Sequence, residues 1–127
     1  TGEKRFFENL GEVTWYTMGE GFTWDTQDKE RDITAAVTAF AQAAAMMESG
    51  DFDLVVLDEI NVTLAYDYLK TKHVLAGLKA RSNRTGAILT GRGAKGEIIS
   101  YADLVTEMRE IKHPFKEGIK AQRGIDF

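Results

Sequence analysis

Apolar residues recur along this chain in distinct rhythms, and each rhythm predicts an element. Between Asp28 and Gly50, the residues Ile33, Val37, Phe40, Ala44 and Met47 alternate four and three apart, which sets them on one face of a helix. Asp28 is placed to cap its start and Gly50 its end. "DLVVL", Asp53 to Leu57, is instead a continuous apolar run between polar neighbours, the pattern of a parallel strand covered on both faces. "GAILTGRG", Gly86 to Gly93, predicts a second short buried strand that runs into a glycine-flanked arginine loop. "EVTWYTMG", Glu12 to Gly19, is rich in β-branched and aromatic residues and stops at glycine, so it predicts a further strand. Gly19 to Gln27 is a turn-rich loop. Asn61 to Leu69 and Thr71 to Lys79 are helical in pattern, the latter with Val74, Leu75 and Leu78 facing inward. Ala94 to Ala102 predicts another helix, and Leu104 to Lys112 fits helix and strand alike. The tail from His113 is irregular, with a short helical turn.

Strands that alternate with helices predict an α/β fold with a parallel sheet. Ligands of such sheets bind beyond the carboxyl ends of the strands. Three segments fall there: the loop after Gly19, the pair Asp58-Glu59, and Thr90 to Gly93. Their convergence is the first functional inference.

Composition narrows the field. A chain of 127 residues is expected to form a single domain, 1–127, large enough to bury a core. There is no run of about 18 apolar residues and no signal-peptide pattern, so a cytoplasmic protein with no membrane partner is expected. The absence of cysteine excludes disulfides, thiolate metal sites and cysteine catalysis. His73 and His113 are forty residues apart and argue against a structural zinc site. No serine or histidine catalytic constellation is present. Net charge is −4, but residues 1–69 carry 14 acidic against 4 basic residues and residues 70–127 carry 6 against 12. A basic half suits a polyanion such as a triphosphate, and two exposed faces of opposite charge explain it equally well. No nucleic-acid partner is expected.

"LVVLDEI", Leu54 to Ile60, has the form of a nucleotide-handling core, a buried strand that ends in two carboxylates. Magnesium takes oxygen ligands, and a carboxylate beside a triphosphate meets that need. A solvated strand end accounts for the same two residues. Strand alternation would point Asp58 and Glu59 to opposite sides, leaving one for the ligand and the other to act through water or brace a loop. In Thr90-Gly91-Arg92-Gly93 the glycines let backbone approach a phosphate, and arginine grips phosphate with two parallel hydrogen bonds. A tight turn with an exposed arginine is the plain alternative. Phe22 and Trp24, two apart, form an apolar shelf if the loop is extended, or else fill the core beneath it. Tyr66 and Tyr68 pose the same choice.

Taken together, "GFTWDTQD", "LVVLDEINVTLAYDYL", "ILTGRG", "IKHPF" and "GIKAQRGIDF" resemble, in order and from about Gly11 to Phe127, the ATP:corrinoid adenosyltransferases of the CobA/CobO/BtuR type. The resemblance implies a P-loop NTPase-like (RecA-like) parallel sheet. It also implies transfer of the 5′-deoxyadenosyl group of ATP to a Co(I) corrinoid in cobalamin biosynthesis or salvage, with release of triphosphate. By position, Phe22 and Trp24 would occupy the lower face of the corrinoid and exclude its axial ligand, which eases reduction of Co(II). Asp58 and Glu59 would lie beside Mg2+ and ATP, with Glu59 as metal ligand, and Thr90, Gly91, Arg92 and Gly93 near the nucleotide. The family also implies a homodimer and, for some members, a flavoprotein reductant.

One family feature is missing from these residues. The strand, the phosphate loop of form GxGKGKT, the helix and the second strand that open such proteins have no counterpart here, and the first residues are Thr1-Gly2. The expectation is a processed start or part of a longer protein, with the loop upstream. Three lost charge-assisted hydrogen bonds would weaken ATP binding by about 4 kcal/mol or more, roughly a thousandfold. Two other readings therefore stand beside the enzyme: a non-catalytic module that binds a corrinoid or a partner, and an unrelated ATPase-like fragment.

Overall fold

The computed structural model of the chain describes residues 2–17 and 28–123. Two compact units divide it, Met18–Val105 and the paired segments Thr1–Thr17 and Thr106–Phe127, and each is taken by itself. In chain order the elements are α1 (Gly2–Leu10), α2 (Lys29–Ser49), β1 (Leu54–Leu57), α3 (Ile60–Ala65), α4 (Thr71–Ala80), β2 (Gly86–Leu89) and α5 (Gly96–Tyr101). A single 3-10 turn, Pro114–Glu117, follows.

The larger unit is built on α2. The Asp28 carboxylate accepts a hydrogen bond from the Arg31 N–H at 3.1 Å, and Glu30 and Asp32 place negative charge in the first turn, where the helix dipole favours it. The helix ends at Gly50 in the left-handed conformation, and the Met47 carbonyl near its end accepts from the Ser82 N–H at 2.8 Å. Ala36, Phe40 and Met47 are buried, with Ala43 and Ala44 packed beside them. Val37, expected on this face, is exposed instead. The buried stripe runs through Ala36 and the small Ala43–Ala44 pair, because close approach of α4 needs small side chains there. Gly77 of α4 sits so near Phe40 that an added Cβ would lie 2.8 Å from its ring. On α4, Val74 and Leu78 are buried and Leu75 is partly so, as the sequence pattern predicts.

β1 and β2 pair in parallel with Leu54 opposite Gly86 and Leu57 opposite Leu89, joined through α3 and α4. A parallel pair requires such a crossover, since a tight turn cannot reverse the chain twice. Among the described residues these two strands are the whole sheet. Val55 and Leu57 are 9% and 8% exposed and join the core, while Leu54 and Val56 are 50% and 52% exposed. The expectation of cover on both faces is thus corrected: the described helices pack on one face only. The run is apolar on both sides, but among the described residues the elements supply a partner for one.

Further corrections concern the flanks. Over its described part, Glu12 to Thr17, the expected strand does not form. A strand exists only by pairing, and this segment joins no ladder; Trp15 stacks on Phe7 of α1 instead, with ring centroids 5.8 Å apart. Leu104 to Lys112 is neither helix nor strand. Leu104, Met108 and Ile111 are exposed, and an amphipathic pattern that buries nothing gains little from becoming a helix. α1 has no counterpart among the elements that the sequence pattern predicts. The 3-10 turn corresponds to the short helical turn expected in the tail, with the His113 Nδ1 accepting from the Phe115 N–H at 3.1 Å. α3 and α5 are each six residues, shorter than their patterns suggest.

Candidate functional site

The parallel register carries β1 and β2 to the same end, so Asp58 and Thr90 follow paired residues Leu57 and Leu89. The ladder closes with the Thr90 N–H donating to the Leu57 carbonyl at 3.2 Å. Past that point the two loops are joined by the Thr90 side chain. Its hydroxyl donates to the Asp58 Oδ1 at 2.7 Å and accepts from the Glu59 N–H at 2.9 Å. One hydroxyl therefore fixes both carboxylate-bearing residues relative to the loop that carries Arg92.

Glu59 has φ 57° and ψ 18°, a left-handed conformation that costs a non-glycine residue about 1–3 kcal/mol and tends to be kept at functional sites. It stands at the start of α3 but makes no side-chain cap. The turn replaces the strand alternation expected at this point. Asp58 braces the arginine loop, and the exposed Glu59 carboxylate makes no hydrogen bond or ion pair among the described residues. Arg92 is likewise exposed and without an ion pair among them. Glu59 and Arg92, of opposite charge, are thus the two side chains of this corner left available to a ligand.

Gly91 shows why the loop takes its sequence. Its φ is 109°, and an added Cβ would lie 3.2 Å from the Glu59 Cα and 3.3 Å from the Asn61 Cβ. A side chain there would be strained by that φ and would have to press its neighbours aside by a few tenths of an ångström. Asn61, in the first turn of α3, closes the corner: its N–H donates to the Thr90 carbonyl at 3.1 Å and its Nδ2 to the Gly91 carbonyl at 3.3 Å. By sequence pattern Asn61 is only the start of a helix. Its signal was available in principle, as a short amide two residues after the acidic pair, but burial gives it meaning.

Phe22 and Trp24 lie outside the described residues. Tyr66 and Tyr68 flank Asp67, itself at φ 57°, with ring centroids 5.9 Å apart; Tyr66 is exposed and Tyr68 packs against the core. A separate open groove of about 580 Å³ is lined by Leu75, Lys79, Gly96, Glu97, Ser100 and Tyr101. It shares no residue with the strand-end corner.

The model of the family of ATP:corrinoid adenosyltransferases BtuR/CobO/CobP matches residues 1–127. The chain belongs to this family. It is 49% identical over 128 residues to a corrinoid adenosyltransferase of Pseudomonas aeruginosa, covering all of this chain and 63% of that protein. A corrinoid adenosyltransferase of a Sinorhizobium species is 48% identical, again over the whole chain and 61% of the relative. The corrinoid adenosyltransferase CobA of Salmonella typhimurium is 41% identical over 99% of this chain and 64% of its own length. The chain thus spans less than two thirds of each relative. Among the described residues no helix is long and apolar enough to cross a membrane.

Family membership raises the question of magnesium, and the donors bear on it. No three His, Cys, Asp or Glu side chains converge among the described residues. Magnesium rarely uses an all-protein cage; one or two carboxylates with phosphate oxygens and water hold it. Glu59 and the second oxygen of Asp58 are carboxylate donors of the type it uses.

Proposed function

We propose that this chain takes part in transferring the 5′-deoxyadenosyl group of ATP to the Co(I) of a corrinoid, within a P-loop-like nucleotide-binding fold. The observation that carries this reading is the Thr90 link, which locks an acidic turn and a Gly-Arg-Gly loop together at the carboxyl ends of two parallel strands in a chain matched throughout by the adenosyltransferase family.

In the transfer, the lone pair of Co(I) forms the cobalt–carbon bond at the ATP C5′ while the C5′–O5′ bond breaks. The leaving triphosphate takes that bonding pair, and cobalt passes formally from Co(I) to Co(III). Arg92 grips the departing polyanion with its planar fork, and Gly91 and Gly93 let the backbone come near it. Glu59, with Asp58 beside it, would hold Mg2+, which when bound would offset phosphate charge. Phe22 and Trp24 cover the lower face of the corrinoid. Holding the cobalt in line with C5′ replaces a bimolecular encounter, a contribution of about 7–11 kcal/mol at best. A homodimer and an electron-donating flavoprotein complete the reading, in the cytoplasm.

The test is an adenosylation assay with chemically reduced corrinoid and Mg-ATP in the dark, following the absorbance of the cobalt–carbon bond. Light-sensitive product from the natural full-length protein, with an ATP KM raised at least tenfold in Arg92→Ala, supports the reading. Spectral binding of Co(II) corrinoid with no ATP dependence favours a non-catalytic module, and nucleotide turnover indifferent to corrinoid favours an unrelated ATPase. For the aromatic loop, Phe22→Ala and Trp24→Ala should slow product formation mainly when Co(II) must first be reduced. Equal slowing with ready-made Co(I) would remove their assigned role.

A further inference from the structure

We infer that Asn61 is a positioning residue, whose buried amide holds the Gly91 carbonyl and thereby sets the Gly-Arg-Gly loop where it meets the nucleotide. The ligand in this statement rests on the proposed function, whereas the contact rests on the structure alone.

Asn61 is 6% exposed and touches the loop in three ways: main-chain N–H to the Thr90 carbonyl at 3.1 Å, Nδ2 to the Gly91 carbonyl at 3.3 Å, and Cβ against the space beside Gly91. Its Oδ1 is buried and has no hydrogen-bond partner among the described residues. Turning the amide over does not help, because Oδ1 would then face the Gly91 carbonyl oxygen; the orientation is set by the one acceptor present. A buried amide with one end unsatisfied is a poor choice for packing, since an apolar side chain of the same shape would avoid desolvating Oδ1. What the amide adds is geometric. The strand ladder ends at Thr90, and Gly91 and Gly93 both have positive φ, 109° and 71°. A loop of that kind has wide freedom once past its last ladder bond. Arginine recognises phosphate by the direction of its fork, so Arg92 is effective only if the backbone beneath it is held. Asn61 is the side chain on the acidic-turn side that holds it past Thr90.

The test replaces Asn61 by Leu, which keeps the branched shape with somewhat larger methyl groups and removes the amide. Three quantities are measured on the natural full-length protein: the Gly91 carbonyl carbon-13 shift, the thermal midpoint, and the separate KM values for ATP and pre-reduced corrinoid. The expected result is a displaced Gly91 shift, an ATP KM raised about tenfold, an unchanged corrinoid KM, and a thermal midpoint within a few degrees of wild type. Asn61→Ala, read in the same way, covers failure of Asn61→Leu to fold. An unmoved Gly91 shift overturns the contact. Both KM values rising together with a lower midpoint would mean that Asn61 is structural only. If the wild-type protein makes no adenosyl product, the proposed function falls and the nucleotide half of this inference with it, while the carbonyl shift still decides whether Asn61 holds the loop.

Discussion

The two faces of β1 differ more than their sequences do. Leu54, Val55, Val56 and Leu57 are two Leu and two Val in a row, yet Val55 and Leu57 lie in the core while Leu54 and Val56 face outward at about half exposure. On the covered face, α2 and α4 bring Phe40, Met47, Val74 and Leu78 into the same core. On the other, Ile88 of β2 is also exposed, so the open patch crosses both strands. The lesson is that hydrophobicity qualifies a residue for burial but does not provide the surface that buries it. The strand ends add a contrast of another kind: there, polar groups are held by hydrogen bonds through Thr90 and Asn61 rather than by packing.

Mutations separate these environments, and the largest effect belongs to the covered side. Leu64 of α3 is fully buried. Leu64→Ala should destabilise the chain by about 2–5 kcal/mol, read as a shift of the urea midpoint, because a cavity forms as well as apolar contact being lost. Gly91→Ala comes next, at about 1–3 kcal/mol, since the new Cβ meets the Glu59 backbone at a φ that only glycine adopts freely. A neutral result there would mean that the corner is looser than its hydrogen bonds indicate. Thr90→Val removes one donor and one acceptor at once and should cost about 1–2 kcal/mol. Its sharper sign is faster amide exchange at Glu59, whose N–H loses its acceptor. Val56→Thr should change stability by less than about 0.5 kcal/mol, the usual range for an exposed position. A loss comparable to that of Leu64→Ala would break the comparison, for it would show that the open face is covered in solution.

Much of the larger unit was legible because its signals are local. Asp28 and Gly50 mark the ends of α2 through the hydrogen bond one accepts and the backbone conformation the other adopts. The strands at Leu54–Leu57 and Gly86–Leu89 follow from short apolar runs, and the alternation of strand and helix predicts that they are parallel. The family was legible too, since five ordered motifs identify it more specifically than any one of them. Less accessible were features that depend on a neighbour. The segment from Glu12 to Thr17 has strand-forming residues but no ladder, and Leu104 to Lys112 has a spacing that fits helix and strand alike but buries nothing. Val37 fits the apolar stripe of α2 by spacing, yet the stripe that packs is the one through Ala36.

At the candidate site the division is similar. From residue types alone, Asp58, Glu59 and the Thr90–Gly93 loop could be assigned to the carboxyl ends of neighbouring strands, because strand direction and order follow from local patterns. Which carboxylate stays available could not be read that way. It depends on Thr90 bonding Asp58 across 32 residues of sequence, and on the turn that gives Glu59 a positive φ. Asn61 became significant only once α3 buried it against Gly91. Sequence determines which groups a segment offers and the local conformations it favours. Tertiary structure alone decided which of those groups pair with each other and which remain for a ligand, because a hydrogen bond or a packed contact requires a second segment brought to within a few ångströms.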